Sequence, residues 1–382
     1  MRIALVTESF PPDVNGVAHS VVRSAEHLLH RGHQPLVIAP APPAARRAAA
    51  DRQPYPVVRI PSVPLPRYRG FRVGVPGGRL AEALLAHRPD VVHLASPFVL
   101  GARAATLAAR HGLPTVAVYQ TDVAAYARAY RVGWGEAAAW RRLREIHNAA
   151  GRTLAPSTRA AADLIANGVE RIWLWRRGVD AERFRPDHRC PALRRSLAPD
   201  GRVLVGYVGR LAPEKRVDLL AATARLPGVR VVVAGDGPAR RHLERALPGV
   251  SFLGVQQGAA LARLYASLDV FVHTGPHETF GQTIQEAAAS GVPVVAPASG
   301  GPVDLDQAGV TGLLVPPGDP GALADAVAEL AADPARRAAY GAAARALVAR
   351  RSWSAVGDEL IGHYRAVRSA GEPADVLPAA WM

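Results

Sequence analysis

At 382 residues, with 49% hydrophobic and 20% charged residues, the chain exceeds what one hydrophobic core usually supports, and two domains of ordinary size are expected. No apolar run approaches the roughly 18 to 20 residues needed to cross a bilayer, and the opening MRIALVTESF reads as a first strand rather than a signal peptide, so a cytoplasmic protein is expected. The single cysteine, Cys190, excludes an internal disulfide framework and a cysteine metal cluster and reads as an incidental linker thiol.

The formal charge of +14 is unevenly placed: residues 1–190 hold 27 Arg against 14 acidic residues, whereas residues 191–382 hold 18 Arg and one Lys against 18 acidic residues. The basic half lacks interleaved aromatics and any helix-turn-helix or RNP-like pattern, which argues against nucleic acid. An anionic membrane surface or an anionic acceptor fits better. Lys215 is the only lysine among 46 basic residues. A drift towards Arg explains lost surface lysines, which most sites accept as either cation, but it does not explain the survivor. A compact ammonium where the planar guanidinium fork would not fit does.

In chain order, short apolar runs alternate with helical patterns: Ile3 to Thr7, then Ser20 to Arg31 stopped by Gly32, then Pro35 to Ala39. This is the βαβ rhythm of a parallel sheet. Residues 40–79, rich in Pro and Arg, read as loop and irregular connection. The rhythm resumes with Asp90 to Leu94, an Ala-rich helix over Gly101 to His111, and Pro114 to Tyr119. Ala181 to Pro199 reads as an interdomain connection. A second series follows, with strands at Val203 to Val208, Val229 to Ala234, Ser251 to Leu253, Val270 to His273 and Val292 to Ala296. Helices are expected at Val217 to Leu226, Leu261 to Ser267, Gly281 to Ser290, Ala322 to Ala331, Pro334 to Ala349 and Trp353 to Val367.

Two segments concentrate charge where open α/β sheets bind ligands, after the strands. In VGRLAPEK, Arg210 can fork onto phosphate oxygens while Lys215 brings a second positive charge to the same anion. In HETFGQTIQE, Glu278 precedes a helix and Glu286 lies within it, on nearby faces about two turns apart. An ionised carboxylate accepts two hydrogen bonds from one diol, and the amides of Phe280, Gly281, Gln282 and Thr283 form a phosphate seat. Two acids alone would also suit a glycosidase. Asn15-Gly16 supplies either a close backbone approach or a simple turn. Gly235-Asp-Gly-Pro238 reads as a structural turn, because it lacks the full dinucleotide fingerprint. His93 reads as a core histidine.

The E-x7-E pair within ETFGQTIQEAAASGVPVVAPASGG resembles glycosyltransferase family 4 of the GT-B fold. So do the opening ESFPPDVNGVAHSV, DVVHLASPF, YQTDVAAYARAY, WLWRRGVD, VGRLAPEK, AGDGP and GLLVPPGDP. Within that family the YQTD and WRRGVD blocks look most like actinobacterial mannosyltransferases that use GDP-mannose to build glycolipids. The resemblance implies two facing Rossmann-like domains with a central cleft. Residues 1–170, with 353–382 as a helix crossing back, would bind the acceptor, and residues 171–352 the donor. It implies that Arg210 and Lys215 clamp the diphosphate, Glu286 binds the ribose, Glu278 binds the transferred sugar with Phe280 and Gly281 lining its pocket, and Gly16 admits the donor. Retention at the anomeric carbon is likewise implied. Where many relatives carry a His, this chain has Gln120, which cannot shuttle a proton; Asp122, which could instead cap a helix, or the leaving phosphate must then act as base. Fixed cations take the place of a metal, and no cofactor beyond the nucleotide-sugar substrate is expected. The alternatives are a UDP-sugar donor with an aminocyclitol or other natural-product acceptor, a nucleotide-sugar epimerase or phosphorylase on the same scaffold, and a basic binding protein with a degenerate site.

Overall fold

In the computed structural model the chain is described over residues 1–13, 15–44, 52–64, 72–95, 98–120, 135–305 and 307–369. It divides into two compact units: Met1–Arg177 together with the segment from Trp353, and Gly178–Ser352.

The first unit runs β1 (Arg2–Val6), α1 (Gly16–His30), β2 (Gln34–Pro40), β3 (Val57–Ile60), β4 (Ser62–Pro64), β5 (Arg72–Gly74), α2 (Gly78–His87), β6 (Val91–Leu94), α3 (Leu100–Arg110), β7 (Thr115–Val118), α4 (Gly135–Asn148), β8 (Arg152–Ala155), α5 (Thr158–Ala166) and β9 (Ile172–Leu174). Seven strands form one sheet in the order β3-β2-β1-β6-β7-β8-β9, every neighbouring pair parallel. The pleat sends alternate residues to opposite faces. Ile3 and Leu5 join Val21, Ala25 and Leu28 of α1 in one core, while Ala4 and Val6 join Leu80 and Leu84 of α2 in the other. The stretch expected to be irregular contributes β3 to the sheet edge and pairs β4 with β5 as an antiparallel hairpin. Pro and Arg interrupt the apolar pattern there, and neither hides an edge strand with one wet face.

The second unit runs α6 (Pro191–Leu197), β10 (Val203–Val208), α7 (Leu220–Thr223), β11 (Val229–Ala234), α8 (Arg240–Ala246), β12 (Ser251–Gly254), α9 (Gly258–Ser267), β13 (Val270–Val272), α10 (Gln282–Ala289), β14 (Val294–Pro297), α11 (Pro302–Leu305), β15 (Gly312–Val315), α12 (Pro320–Ala332) and α13 (Pro334–Val348). Its six strands lie in the order β12-β11-β10-β13-β14-β15, again all parallel. Strands buried on both faces read as continuous apolar runs, as VLVGYV and VRVVVA do. The helix expected over Val217 to Leu226 is a 3-10 turn, Val217–Leu219, followed by the single turn of α7. Arg216 at its head is left-handed (φ 47°), and Pro227 behind it disfavours helical geometry at Leu226. The stretch expected as a connection is part of this unit: Phe184 lies in its core, Arg189 and Arg194 both pair with Asp269, and the Cys190 amide donates to Ser267 Oγ at 3.0 Å.

The chain ends its described part in α14 (Trp353–Arg368), which belongs to the first unit. Val356, Leu360, Ile361, Tyr364 and Val367 enter the same core as α1. A Cβ on Gly357 would meet His27 Cδ2 at 2.3 Å, so glycine there lets the two helices approach. Asp358 then accepts from His27 and Arg31, each at 2.8 Å. His93 is a core residue: its Nδ1 meets the Tyr364 hydroxyl at 2.6 Å, and burial pulls its pKa down to about 3. Among the described residues no helix is long and apolar enough to cross a membrane, and no group of three His, Cys, Asp or Glu could hold a metal ion.

Candidate active site

In both sheets the chain leaves the first strand in opposite directions, so β1/β6 and β10/β13 are the switch points beyond whose carboxyl ends ligands bind in open α/β sheets. The candidate residues fall there. In the second unit the loop after β10 carries Arg210 and, on the 3-10 turn Pro213–Lys215, the lone lysine. Tyr207 at the end of β10 sends its hydroxyl to the Arg210 carbonyl at 3.2 Å. Backbone holds this loop from below: a Cβ on Gly235 would stand 1.9 Å from Gly209 O, and one on Gly237 2.3 Å from Leu211 O. Leu211 and Ala239 close the contact, Leu211 N donating to Asp236 O and Ala239 N to Leu211 O, both at 2.9 Å. The Gly-Asp-Gly turn therefore supports the loop that bears the clamp.

Each clamp cation meets a carboxylate. Arg210 Nη2 donates to the buried Glu214, and Lys215 Nζ donates to Glu278 Oε2 at 2.8 Å. Thr274 Oγ1 donates to the Lys215 carbonyl at 2.6 Å and fixes the lysine's backbone. Glu278 is itself set by tight backbone packing: Gly301 N donates to its carbonyl at 2.7 Å, and a Cβ on Gly300 would meet that same oxygen at 2.5 Å. The Arg210–Glu214 pair is local to one loop, four residues apart, whereas Lys215–Glu278 depends on how two loops fold back.

Helix α10 begins after Gly281, whose φ of +98° suits glycine and whose missing side chain leaves no cap on the helix start. The amides of Gln282 and Thr283 therefore head the helix without intrahelical acceptors. The Phe280 ring differs from its expected lining role: it is 1% exposed and sits in the core near Ile284 and Ala287, so what Phe280 offers a ligand is its backbone. Gln282 Nε2 donates to Gly178 O at 3.2 Å. Glu286 is buried within α10, and burial pushes its pKa up to about 7, opposed by Tyr265, Gln282 and Arg183.

In the first unit, Asn15 caps α1 by accepting from Val17 N at 3.1 Å and Ala18 N at 3.0 Å. The helix thus starts at Gly16, ahead of Ser20. A Cβ on Gly16 would stand 2.5 Å from Arg177 Nη1, so the bare glycine makes room for a guanidinium that is itself buried. Arg177 Nη2 donates to Gln120 Oε1 at 2.9 Å, and Gln120 Nε2 donates to Ala95 O at 3.0 Å. Strand ends β1, β6, β7 and β9 are joined by this relay. Arg177 stood unremarked within the WLWRRGVD block; only folding brings it over Gly16. Asp122 lies outside the described residues. Glu8, just past β1, is 1% exposed; Oε1 accepts from Val99 N at 2.7 Å and from Leu100 N, and burial pushes its pKa up to about 7.

A family model described as Glycosyltransferase Family 4 matches residues 14–183, and one described as Glycosyl transferases group 1 matches residues 202–333. A Mycobacterium tuberculosis protein described as a GDP-mannose-dependent alpha-mannosyltransferase is 50% identical over 96% of this chain and 97% of its own length. Its Mycolicibacterium smegmatis counterpart, of the same description, is 51% identical over 96% of this chain and 98% of its own length. Among solved structures, the sucrose-phosphate synthase of Thermosynechococcus elongatus superposes with a TM-score of 0.81 at 23% identity, covering 97% of this chain and all of that one. At that identity the likeness speaks for the fold, which is GT-B. With a family model on each half and relatives half identical along nearly their whole length, the chain belongs to glycosyltransferase family 4 and is an enzyme of that class.

Proposed function

We propose that this enzyme moves a mannosyl residue from GDP-mannose to a hydroxyl of a glycolipid or small-molecule acceptor, with retention at the anomeric carbon. The observation that carries the donor is the near-full-length identity with the two mycobacterial proteins named for it. The second unit takes the donor. Arg210 and Lys215 hold the diphosphate, the amides of Gln282 and Thr283 at the head of α10 seat a phosphate, Glu286 accepts from the ribose hydroxyls, and Glu278 accepts from the transferred sugar.

The pairings in the free protein give this reading a mechanism. Entry of a diphosphate draws Arg210 from Glu214 and Lys215 from Glu278, and the vacated Glu278 carboxylate becomes an acceptor for sugar hydroxyls. As the bond to the leaving phosphate lengthens, positive charge grows on the sugar and negative charge on the phosphate. Fixed cations and amides aimed at that phosphate stabilise the transition state more than the ground state. They supply the countercharge that a bound metal would otherwise bring. The first unit takes the acceptor beside Gln120, and the bare Gly16 lets its backbone approach the donor. Gln120 accepts no proton, so Asp122 or the departing phosphate takes it.

A donor screen tests the reading: GDP-mannose, GDP-glucose and UDP-hexoses are supplied with lipid and soluble acceptors, and products are weighed by mass spectrometry. Net mannosyl transfer from GDP-mannose to an α-linked product is expected. Donor isomerisation without an acceptor, or transfer from UDP-hexoses alone, would overturn it. The excess of Arg in residues 1–190 adds a second expectation, peripheral binding to phosphatidylinositol vesicles that weakens as salt rises. Salt-independent binding, or none, would shift the acceptor to a soluble one.

A further inference from the structure

Behind the Lys215–Glu278 pair stands a histidine that the reaction as described leaves unused. His273 follows β13, and its amide donates to Val295 O at 2.9 Å, which fixes it against the next strand. Its ring is 3% exposed; neither ring nitrogen makes a hydrogen bond of good geometry among the described residues, and the backbone of Gly275 is a nearby polar group that favours its charged form. A buried imidazole left in that state costs about 1–3 kcal/mol per unmet group, a cost that a further partner would offset. Burial pulls its pKa down to about 4, and near neutrality the ring is uncharged with one N–H to give.

Two distances at one carboxylate oxygen suggest the second arrangement. His273 Nε2 lies 4.0 Å from Glu278 Oε2, the same oxygen that Lys215 Nζ holds at 2.8 Å. A hydrogen bond needs a closure of roughly 1.1 Å. Gly275 borders both groups: a Cβ there would stand 3.4 Å from Lys215 Cδ and 3.6 Å from His273 Nε2. The lysine that holds Glu278 is the one a diphosphate needs. Taking it away removes a cation held 2.8 Å from a carboxylate that is only 22% exposed, a cost that a further donor would lower.

We infer that His273 is the second seat of the Glu278 carboxylate: Glu278 rests on Lys215 in the free enzyme and passes to His273 Nε2–H when a nucleoside diphosphate engages Lys215. The exchange rests on the proposed clamp. His273 is then a positioning residue, acting through Glu278, and it lowers the cost of vacating Lys215 while keeping the carboxylate ionised and aimed at the sugar.

The test is a four-protein cycle, full-length wild type, His273→Phe, Glu278→Gln and the double variant, with GDP titrated by calorimetry at pH 7.5 and UDP run alongside. His273→Phe is expected to weaken GDP binding about five- to tenfold when Glu278 is present and less than about twofold in the Glu278→Gln background. His273→Gln, which keeps an N–H donor of similar reach, is expected to restore most of the loss. Equal losses in both backgrounds, no loss in either, or failure of His273→Gln to differ from His273→Phe would overturn the exchange. His273→Leu replaces the Phe variant should that protein not fold. Lys215→Met separates the two readings. If it binds both nucleotides as tightly as wild type, the clamp itself is wrong; if it binds weakly while the cycle is additive, only the exchange falls.

Discussion

The two units reach the same sheet design by different means at the strand ends. In the second unit the loops are set by backbone against backbone, with Gly235 over Gly209, Gly237 over Leu211, and Gly300 and Gly301 over the Glu278 and Phe280 carbonyls. In the first unit the corresponding glycine, Gly16, lies under the end of a side chain, and the strand ends are tied by Arg177 and Gln120. Backbone contacts cannot yield when a ligand arrives; side chains can. A frame of the first kind would suit the proposed diphosphate site, which serves one donor, and one of the second kind the proposed acceptor site.

Glycine replacements break this comparison most sharply. Gly235→Ala forces a Cβ to within 1.9 Å of a carbonyl at a φ of +146°, and the second unit should lose about 3 kcal/mol or more of stability, read by urea denaturation. A loss under about 1 kcal/mol would mean that the clamp loop has slack. Next come the two buried carboxyls. Burial raises Glu8 from the ordinary 4.5 to about 7, so its proton is held more tightly when folded; that contribution is complete below pH 4.5 and is lost as pH rises through 7. Glu8→Gln should therefore raise stability at pH 8 by up to about 3 kcal/mol and leave it nearly unchanged at pH 4. A destabilised variant at pH 8 would show that the ionised form is required to hold Val99 and Leu100.

Glu286 has a similar pKa of about 7 but is assigned to ligand rather than to a helix start. Only its ionised form accepts from both ribose hydroxyls, so GDP binding should weaken about tenfold from pH 8 to pH 6, and Glu286→Gln should bind more weakly with most of that dependence gone. An unchanged pH profile in the variant would remove Glu286 from the ribose. Smallest is Gly16→Ala, where the clashing atom is the mobile tip of Arg177: stability should fall by about 1 kcal/mol or less while donor KM rises. A loss as large as that at Gly235 would erase the contrast between the units.

Much of this was legible in the sequence. Continuous apolar runs at βαβ spacing gave both parallel sheets, because strands covered on two faces leave no polar alternation to confuse them. VGRLAPEK and the two glutamates were legible through charge placed just after strands. The single turn at Leu220 was not, since its helical period overrode the left-handed Arg216 ahead of it. Arg177 and His273 were hidden for another reason. In an Arg-rich chain one more arginine carries no signal, and a histidine ending an apolar strand looks like any core histidine until its neighbours across the loops are known. The Lys215–Glu278 pair likewise belongs to the folded chain alone.

The central claim is that Lys215 grips the donor diphosphate as a compact point charge. Its carbonyl is held by Thr274 and its ammonium reaches Glu278 at 2.8 Å, a point contact that a longer planar fork would have to remake in a different geometry. Lys215→Arg, with charge conserved, is the direct test: steady-state mannosyl transfer from GDP-mannose should fall by about twentyfold or more while the thermal midpoint stays within about 2 °C of wild type. Turnover near that of wild type would contradict the claim and reduce the lone lysine to an accident of composition.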